Sequence, residues 1–225
     1  MQTAREIHAA VSSRGEDTRQ RLLEVALDIF GQHGFDGAST REIVQRAGAN
    51  LTAIPYYFGS KEGLYVAAAE YMVTDCLRRM TPAMERTLRE VQDPRLSHSE
   101  LIHHLCDLLD DFAAVLMGPQ MPDNWSVLFA REQMQPTAAF DKISVAFQPF
   151  TSVLQEMVGR ILGQSADDRD TRLRVLTLFG QVLIFRTNRA TVLRLMNWQE
   201  FGEPQLRAVQ IVIRKQVTAI LAKSS

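Results

Sequence analysis

Two basic residues, Arg41 and Lys61, stand where helices are predicted to begin. A cation at that position opposes the helix dipole, so stability alone would favour an acidic side chain there. The arrangement makes sense if the missing anion is a phosphate. Two adjacent tyrosines, Tyr56 and Tyr57, lie between the two cations, and tyrosine hydroxyls are common donors to nucleic-acid backbones. Residues 39–61 are therefore the strongest candidate for a nucleic-acid-binding segment.

The spacing within residues 39–61 predicts two helices joined by a short turn. Ser39 and Glu42 match a capping box at the start of the first helix, and a glycine ends it. Asn50 is predicted to cap a short second helix that ends at Phe58. This is helix-turn-helix order, in which the second helix enters a major groove. The apolar positions expected to hold the two helices together are Ile43, Ala47, Ile54 and Phe58.

The second helix is expected to turn small and aromatic residues outward. Small side chains allow the backbone to approach base edges, and alanine or threonine methyl groups suit the methyl group of thymine. A plain corner between two bundle helices would explain the same spacing, but it would leave the two N-terminal cations unexplained. The residues predicted to face outward are Leu51, Thr52, Ala53 and Tyr56.

The segment from Thr18 to about Tyr65 resembles the DNA-binding domain of the tetracycline-repressor (TetR) family. The resemblance lies in HGFDGAST, then REIVQRAG, then YYFGSKEGLY. It implies phosphate contacts from Thr40, Tyr57 and Lys61, and positions near bases for Arg41, Leu51, Thr52, Ala53 and Tyr56. Pro55 departs from the family, which usually has Tyr or Asn there. Because proline removes a hydrogen bond to Leu51 and stiffens the helix, the base-reading face is expected to differ.

Helical periodicity continues along nearly the whole chain and predicts an all-α fold of nine or ten helices. We expect an N-terminal tail and three-helix helix-turn-helix domain over 1–60. A C-terminal helical bundle for dimerisation and ligand binding would occupy 61–225. Within it, FAREQMQPTAAFD (129–141) and GQVLIFRTNRATVLRLMNW (180–198) resemble the CecR-like subgroup of the same family.

A charged pair, Arg131-Glu132, interrupts a short helix that also carries Trp125 and Phe129. Burying such a pair is weak evidence for stability, because desolvation offsets the attraction. The pair would meet a polar group of a ligand, or it would tie the helix to a neighbour; the sequence leaves both open. Ligand pockets are mostly apolar with a few placed polar groups, and this segment has that mixture.

Methionines and a cysteine recur at helical spacing on the fourth helix, either as core or as the pliable wall of a cavity. A ligand there would move the DNA-binding head through that helix. The residues predicted to line the site are Met72, Cys76, Met80, Trp125, Phe129 and Arg131. The expected ligand is an amphipathic small molecule, possessing an acidic or carbonyl group that Arg131 can meet.

A two-fold contact is predicted from the last helices of the chain. A glycine inside an apolar helix allows close approach at a symmetric interface. The resemblance implies a four-helix contact built from two helices of each subunit. The residues expected in this homodimer interface are Gly180, Leu206, Val209, Ile213 and Val217.

A polar cluster on the fifth helix offers a weaker possibility. His103 and Asp107 share a helix face, with His104, Asp110 and Asp111 nearby. Spacing fixes no third ligand of suitable type, so a solvated helix face is the favoured interpretation and no metal or cofactor is predicted.

The composition of the chain fits a cytoplasmic, non-secreted protein. It has 225 residues, a net charge of −1 and 46% hydrophobic residues. Its two cysteines make no disulfide framework, no apolar run approaches the roughly 20 residues of a membrane span, and the first residues lack a signal-peptide core.

The function expected from the sequence is ligand-responsive repression by a homodimer bound to a palindromic operator. The two short helices would enter major grooves about 34 Å apart. Two other classes of protein fit the sequence less well. An enzyme is disfavoured because no Gly-rich phosphate loop, HExxH or GxSxG motif is present. A helical adaptor that binds only protein would not explain Arg41 and Lys61.

Overall fold

The structure is a computed structural model that describes the backbone of residues 4–222 and the side chains of residues 15–222. Within these residues the chain forms ten helices and no strand, so the predicted all-α fold is confirmed. The helices are α1 (Ala4–Gly37), α2 (Thr40–Arg46), α3 (Ala53–Phe58), α4 (Lys61–Glu90), α5 (His98–Met117), α6 (Asp123–Met134), α7 (Ala138–Leu162), α8 (Arg169–Thr187), α9 (Arg189–Met196) and α10 (Glu203–Leu221).

The chain divides into two compact units: Met1–Thr74 with Asp123–Val145, and Asp75–Pro122 with Ala146–Ser225. The boundary expected near residue 60 falls inside the first unit. The first part of α4, together with α6 and the start of α7, belongs with α1–α3. A sequence border placed after the helix-turn-helix therefore separates segments that form one compact unit.

The first unit is built around the buried face of α1. Phe30 is almost completely buried and packs edge-on against Tyr65 of α4, with ring centroids 4.9 Å apart. Phe35 approaches the same tyrosine at 5.4 Å. At the end of α1, Gly34 adopts a left-handed φ of 72°, a conformation that side chains with a Cβ rarely adopt.

The second unit is organised by α5, which packs against both α8 and α10. Its start is fixed by a capping box between Ser97 and Glu100. On the adjacent α10, Arg214 donates to the Asp107 carboxylate at 2.7 Å and also pairs with Asp110. Aromatic rings fill the interior of this unit; they belong to Phe112, Phe147, Phe150 and Phe179.

Among the helices of residues 4–222, none has both the length and the apolar composition of a membrane span.

Candidate nucleic-acid interface and effector site

The first helix of the helix-turn-helix begins where the sequence predicts, but only the Ser39 half of the predicted capping box forms, while the Glu42 carboxylate pairs with Arg46. Ser39 caps α2 by accepting a hydrogen bond from the Glu42 amide at 3.4 Å. Ile43 and Ile54 are buried, so apolar packing holds α2 against α3. The predicted cap at Asn50 is wrong. The second helix begins at Ala53, and Asn50 instead accepts the Ala53 amide through its main-chain carbonyl at 3.0 Å, within the connecting turn.

The side chains of α3 and its preceding turn divide into an exposed set and a buried one. Tyr56 is 80% exposed, and Leu51 and Thr52 are also exposed. Ala53 is only 8% exposed, so the prediction that it faces outward toward bases is wrong. At the first position of this short helix its methyl group packs inward, and the nearest exposed side chains before it are Leu51 and Thr52 in the connecting turn.

Arg41 is exposed in the first turn of α2. Arg46, at the other end of the same helix, by contrast forms ion pairs with Asp28 and Glu42. No carboxylate within the described residues 15–222 is paired with Arg41. An exposed guanidinium without an internal counter-ion is suited to bind a phosphate or a base edge.

Lys61 and Tyr57 make contacts inside the chain. The Lys61 ammonium lies 4.7 Å from the Phe35 ring centroid and 3.5 Å from the Asp36 carbonyl oxygen. These contacts give an internal reason for a cation at the start of α4, so its phosphate contact stays a prediction. Tyr57 is half-buried, with its hydroxyl near Gly15 of α1. Thr40, the third predicted phosphate ligand, is also half-buried.

Two arginines of α1 support this unit in ways that the sequence analysis missed. Arg21 donates through Nε to the Ala47 carbonyl oxygen at 3.3 Å, at the end of α2. The Arg19 guanidinium lies 5.6 Å from the ring centroid of Phe58. Both contacts join residues far apart in the sequence, and no local spacing rule would have revealed them.

The residues predicted to line the effector site do not all belong to one unit. Met72, together with the α6 residues, falls in the first unit, whereas Cys76 and Met80 fall in the second. All three α4 residues are buried. Burial raises the pKa of the Cys76 thiol to about 11, which keeps it protonated and unreactive near neutral pH.

Side chains of α6 contact other residues of the first unit. Trp125 is buried and meets Tyr71 edge-on, with ring centroids 6.2 Å apart. Phe129 is half-buried. Arg131, although exposed, places Nη1 3.5 Å from the Phe30 carbonyl oxygen. A role for these residues in binding a ligand therefore stays a prediction.

Arg131 and Glu132 contact different neighbours. Glu132 is 1% exposed, and its carboxylate accepts hydrogen bonds from the Tyr65 hydroxyl at 2.7 Å and the Thr137 amide at 3.1 Å. Burial and the Glu132 carboxylate raise the pKa of the Tyr65 phenol. Glu132 thus joins α6 to α4 and to the start of α7.

The polar cluster of the second unit lines an open surface pocket of about 500 Å³. His104 lies 3.1 Å from Glu90, and Arg86 pairs with Asp111. Burial raises the pKa of the Asp110 carboxyl, although the nearby Arg214 guanidinium acts in the opposite direction. Within the described residues, no group of three or more His, Cys, Asp or Glu side chains has the geometry to hold a metal ion.

Comparison with known families identifies both parts of the chain. Residues 22–68 match the family of bacterial regulatory proteins called tetR. Residues 101–223 match the C-terminal domain of the HTH-type transcriptional dual regulator CecR. The chain belongs to the TetR family. The resemblances to TetR and to the CecR-like subgroup are therefore confirmed, and the protein is a transcriptional regulator rather than an enzyme.

Individual relatives of this TetR-family protein support the family assignment. CecR from Shigella flexneri is 32% identical over 216 residues, which are 94% of this chain and 95% of that protein. The transcriptional repressor AcnR from Corynebacterium diphtheriae is 29% identical over 71% of this chain and 88% of its own length.

Solved structures show the same fold. A TetR-like regulator from a Rhodococcus species has a TM-score of 0.61 at 20% identity, covering 91% of this chain and 96% of that one. The regulator FadR from Bacillus subtilis, crystallised with stearoyl-CoA, has a TM-score of 0.57 at 16% identity, covering 88% and 96%.

Proposed function

We propose that this TetR-family regulator acts in the cytoplasm as a homodimeric repressor, which binds a palindromic operator and is released by a small amphipathic molecule. The observation that carries the proposal is the exposed surface formed by Arg41, Leu51, Thr52 and Tyr56. It combines a guanidinium on α2 with apolar and aromatic groups on α3 and on the turn before it, which is the chemistry needed to read base edges in a major groove.

Phosphate contacts are assigned to the flanks of this surface. Thr40 and Tyr57 are half-buried beside it, and Lys61 stands at the start of the next helix. These positions suit residues that orient the protein on the duplex without reading sequence. Ala53 supports α3 from the inside instead of reading a base.

The proposed dimer surface differs from the predicted residues on α10. Val209, Ile213 and Val217 are buried in a single chain, since α10 turns this stripe toward α5. Because little of these side chains is left for a second copy to cover, we propose that other residues of α8 and α10 form the two-fold contact. Leu206 is half-buried. The exposed apolar residues on α10 are Ile211, Val212 and Ile220, and those on α8 are Leu173, Leu176 and Ile184.

Gly180 lies on the exposed side of α8. A Cβ at this position would meet no atom of its own chain within 4 Å. The chain itself therefore does not require a glycine there, although glycine weakens a helix interior. Close approach of a second copy accounts for the missing side chain, which keeps Gly180 in the proposed interface with α8 and α10.

An effector is proposed for the part of the chain that follows the helix-turn-helix. The CecR-type C-terminal domain and the FadR complex with stearoyl-CoA support an amphipathic ligand class. Met72, Cys76, Met80, Trp125, Phe129 and Arg131 remain the proposed contacts. Arg131→Ala is expected to leave operator affinity intact and to weaken effector-dependent release.

The test begins with selection of binding sites from random double-stranded DNA by the full-length protein. We expect an inverted repeat whose half-sites are about 10 base pairs, or a multiple of this spacing, apart. Small amphipathic molecules are then screened for release of the protein from that site. Absence of any enriched sequence would overturn the operator proposal, and selection of a single unrepeated half-site would overturn the dimer.

A further inference from the structure

Helix α6 lies unusually close to α1. A Cβ on Gly31 would stand 2.5 Å from the Asn124 Cβ and 2.7 Å from its carbonyl oxygen, closer than real side chains approach. The absence of a side chain at Gly31 therefore allows α6 to pack this closely against α1. This places the first turn of α6 against the C-terminal part of α1, six residues before that helix ends at Gly37.

At this crossing, one carboxylate is shared by three helices. Asn124 of α6 donates through Nδ2 to Asp28 Oδ1 at 2.5 Å. The other oxygen of Asp28 pairs with Arg46, at the end of α2. Gln32, one turn further along α1, also donates to Oδ1, at 2.9 Å. Asp28 therefore links α6 to the first helix of the helix-turn-helix.

The start of α6 is also linked to the C-terminal domain through the chain. Arg186 of α8 is buried and donates to the Met121 carbonyl oxygen at 2.8 Å. Only Pro122 separates Met121 from the first residue of α6. A displacement of α8 would thus be transmitted to the first turn of α6 through the two peptide units that join Met121 to Asp123.

We propose that Asp28 is a positioning residue that couples the placement of α6 to that of α2, giving the effector domain a route to the DNA-reading helices besides α4. The inference rests on the proposed function and deepens it. When Asn124 moves, Asp28 loses the part-buried one of its two donors to Oδ1 and keeps only the exposed Gln32, so the carboxylate that pairs with Arg46 is held less firmly. Helix α2 then loosens, and α3 loosens with it because Ile43 and Ile54 pack together.

Hydrogen exchange of the full-length protein without DNA tests the coupling. In Asn124→Ala, amides of α2 should exchange at least about threefold faster, the low end of coupling between contacting residues. Within the described residues Asn124 hydrogen-bonds to Asp28 of α1 and to no residue of α2, so loss of a merely local bond would speed exchange near that bond and not in α2. Gln32→Ala is the matched control, since it removes another donor to the same oxygen from within α1.

A double variant separates coupling from simple damage. The effect of Asn124→Ala on α2 should vanish in an Arg46→Ala background, because the ion pair that joins Asp28 to α2 is then already absent. Additive effects, or faster exchange in α6 only, would overturn the proposal. If Asn124→Ala fails to fold, Asp28→Asn replaces it. That variant keeps an acceptor for Asn124 but removes the charge that holds Arg46, so α2 should loosen while α6 stays protected.

Operator affinity gives the second readout. Asn124→Ala should weaken binding to the selected site by at least about threefold, and Gln32→Ala should not. If the wild-type protein selects no DNA sequence, the proposed function fails while the exchange experiment still tests Asp28. If the wild type binds an operator and Asn124→Ala binds equally well, the proposed role of Asp28 fails alone.

Discussion

The Tyr65 hydroxyl donates to the buried Glu132 carboxylate at 2.7 Å, and this bond joins α4 to α6 inside one compact unit. Glu132 keeps further donors in the Thr137 amide and hydroxyl. The carboxylate is therefore satisfied by neutral groups, whereas the sequence left open a ligand contact or an ion pair to a neighbouring helix. A buried carboxylate held in this way joins its helix to two neighbouring segments. These hydrogen bonds explain why an acidic residue is present among apolar ones.

Removing the phenol oxygen should lower stability without preventing folding. Tyr65→Phe is expected to reduce the free energy of unfolding by about 1–3 kcal/mol, since Glu132 loses one donor while remaining buried. Urea unfolding measures the loss. Tyr71→Phe is the matched control. Its hydroxyl bonds to exposed Glu24 at 3.2 Å, so its loss should stay within about 0.5 kcal/mol. Equal losses in the two variants would contradict a special role for Glu132.

Alkaline pH should destabilise the protein in part through Cys76. The thiol ionises near its ordinary pKa of 9.0 in the unfolded chain but only near about 11 in the folded one. As pH rises, the unfolded state loses its proton first. The contribution, up to about 2–3 kcal/mol, is fully present below pH 9 and is lost as the pH approaches 11. Urea titrations of wild type and Cys76→Ala from pH 8 to 11 should converge; parallel curves would show that the thiol does not contribute.

The local part of the fold follows from the sequence, and the long-range part does not. The spacing of Ile43 and Ile54 predicts the helix-turn-helix because both residues belong to one short segment. The contact between Asp28 and Asn124 spans 96 positions, and nothing in either local pattern indicates it. The sequence predicts that Val209 and the other apolar residues of α10 are covered, but it does not indicate whether α5 or a second copy of the chain covers them.

Two variants separate base reading from phosphate binding. Arg41→Ala should weaken binding to the selected operator by about 1–3 kcal/mol and relax its base preference. Lys61→Ala should weaken binding to all sequences and reduce the salt dependence by about one unit. Titrations of operator and scrambled DNA at several salt concentrations distinguish the two effects. Arg89→Ala, an exposed arginine paired with Glu85 on α4, should bind as the wild type does.

If both variants match the wild type across the salt series, the assignment of the DNA-reading surface is wrong. A uniform loss in Arg41→Ala, with unchanged base preference, would move this residue from the bases to the phosphates.

The proposed dimer surface can be tested by two substitutions on opposite sides of α10. Ile211 is 54% exposed, so Ile211→Arg should dissociate the dimer while each chain keeps its fold. Operator affinity should then fall, because the two half-sites are no longer linked. Val209 is 3% exposed, and Val209→Arg should instead unfold the chain, since an unpaired charge would be buried. Sedimentation and thermal melting measure both. An unchanged dimer in Ile211→Arg would place the interface elsewhere.

Because α1 and α6 cross so closely, even a methyl group at Gly31 is expected to lower the stability of the protein. In an open helix interior, Gly→Ala stabilises by roughly 0.5–1 kcal/mol. At Gly31 the added methyl group would meet the Asn124 backbone oxygen at 2.7 Å, which cannot move without displacing α6. Overpacking of this kind costs about 1–3 kcal/mol, so Gly31→Ala should be less stable than the wild type. Gln32→Ala, the exposed neighbour, should change stability by no more than about 0.5 kcal/mol. Urea unfolding decides between the two effects: a stabilised Gly31→Ala would mean that α6 does not rest on α1 at this residue, and the link from Asn124 to Asp28 would lose its structural basis.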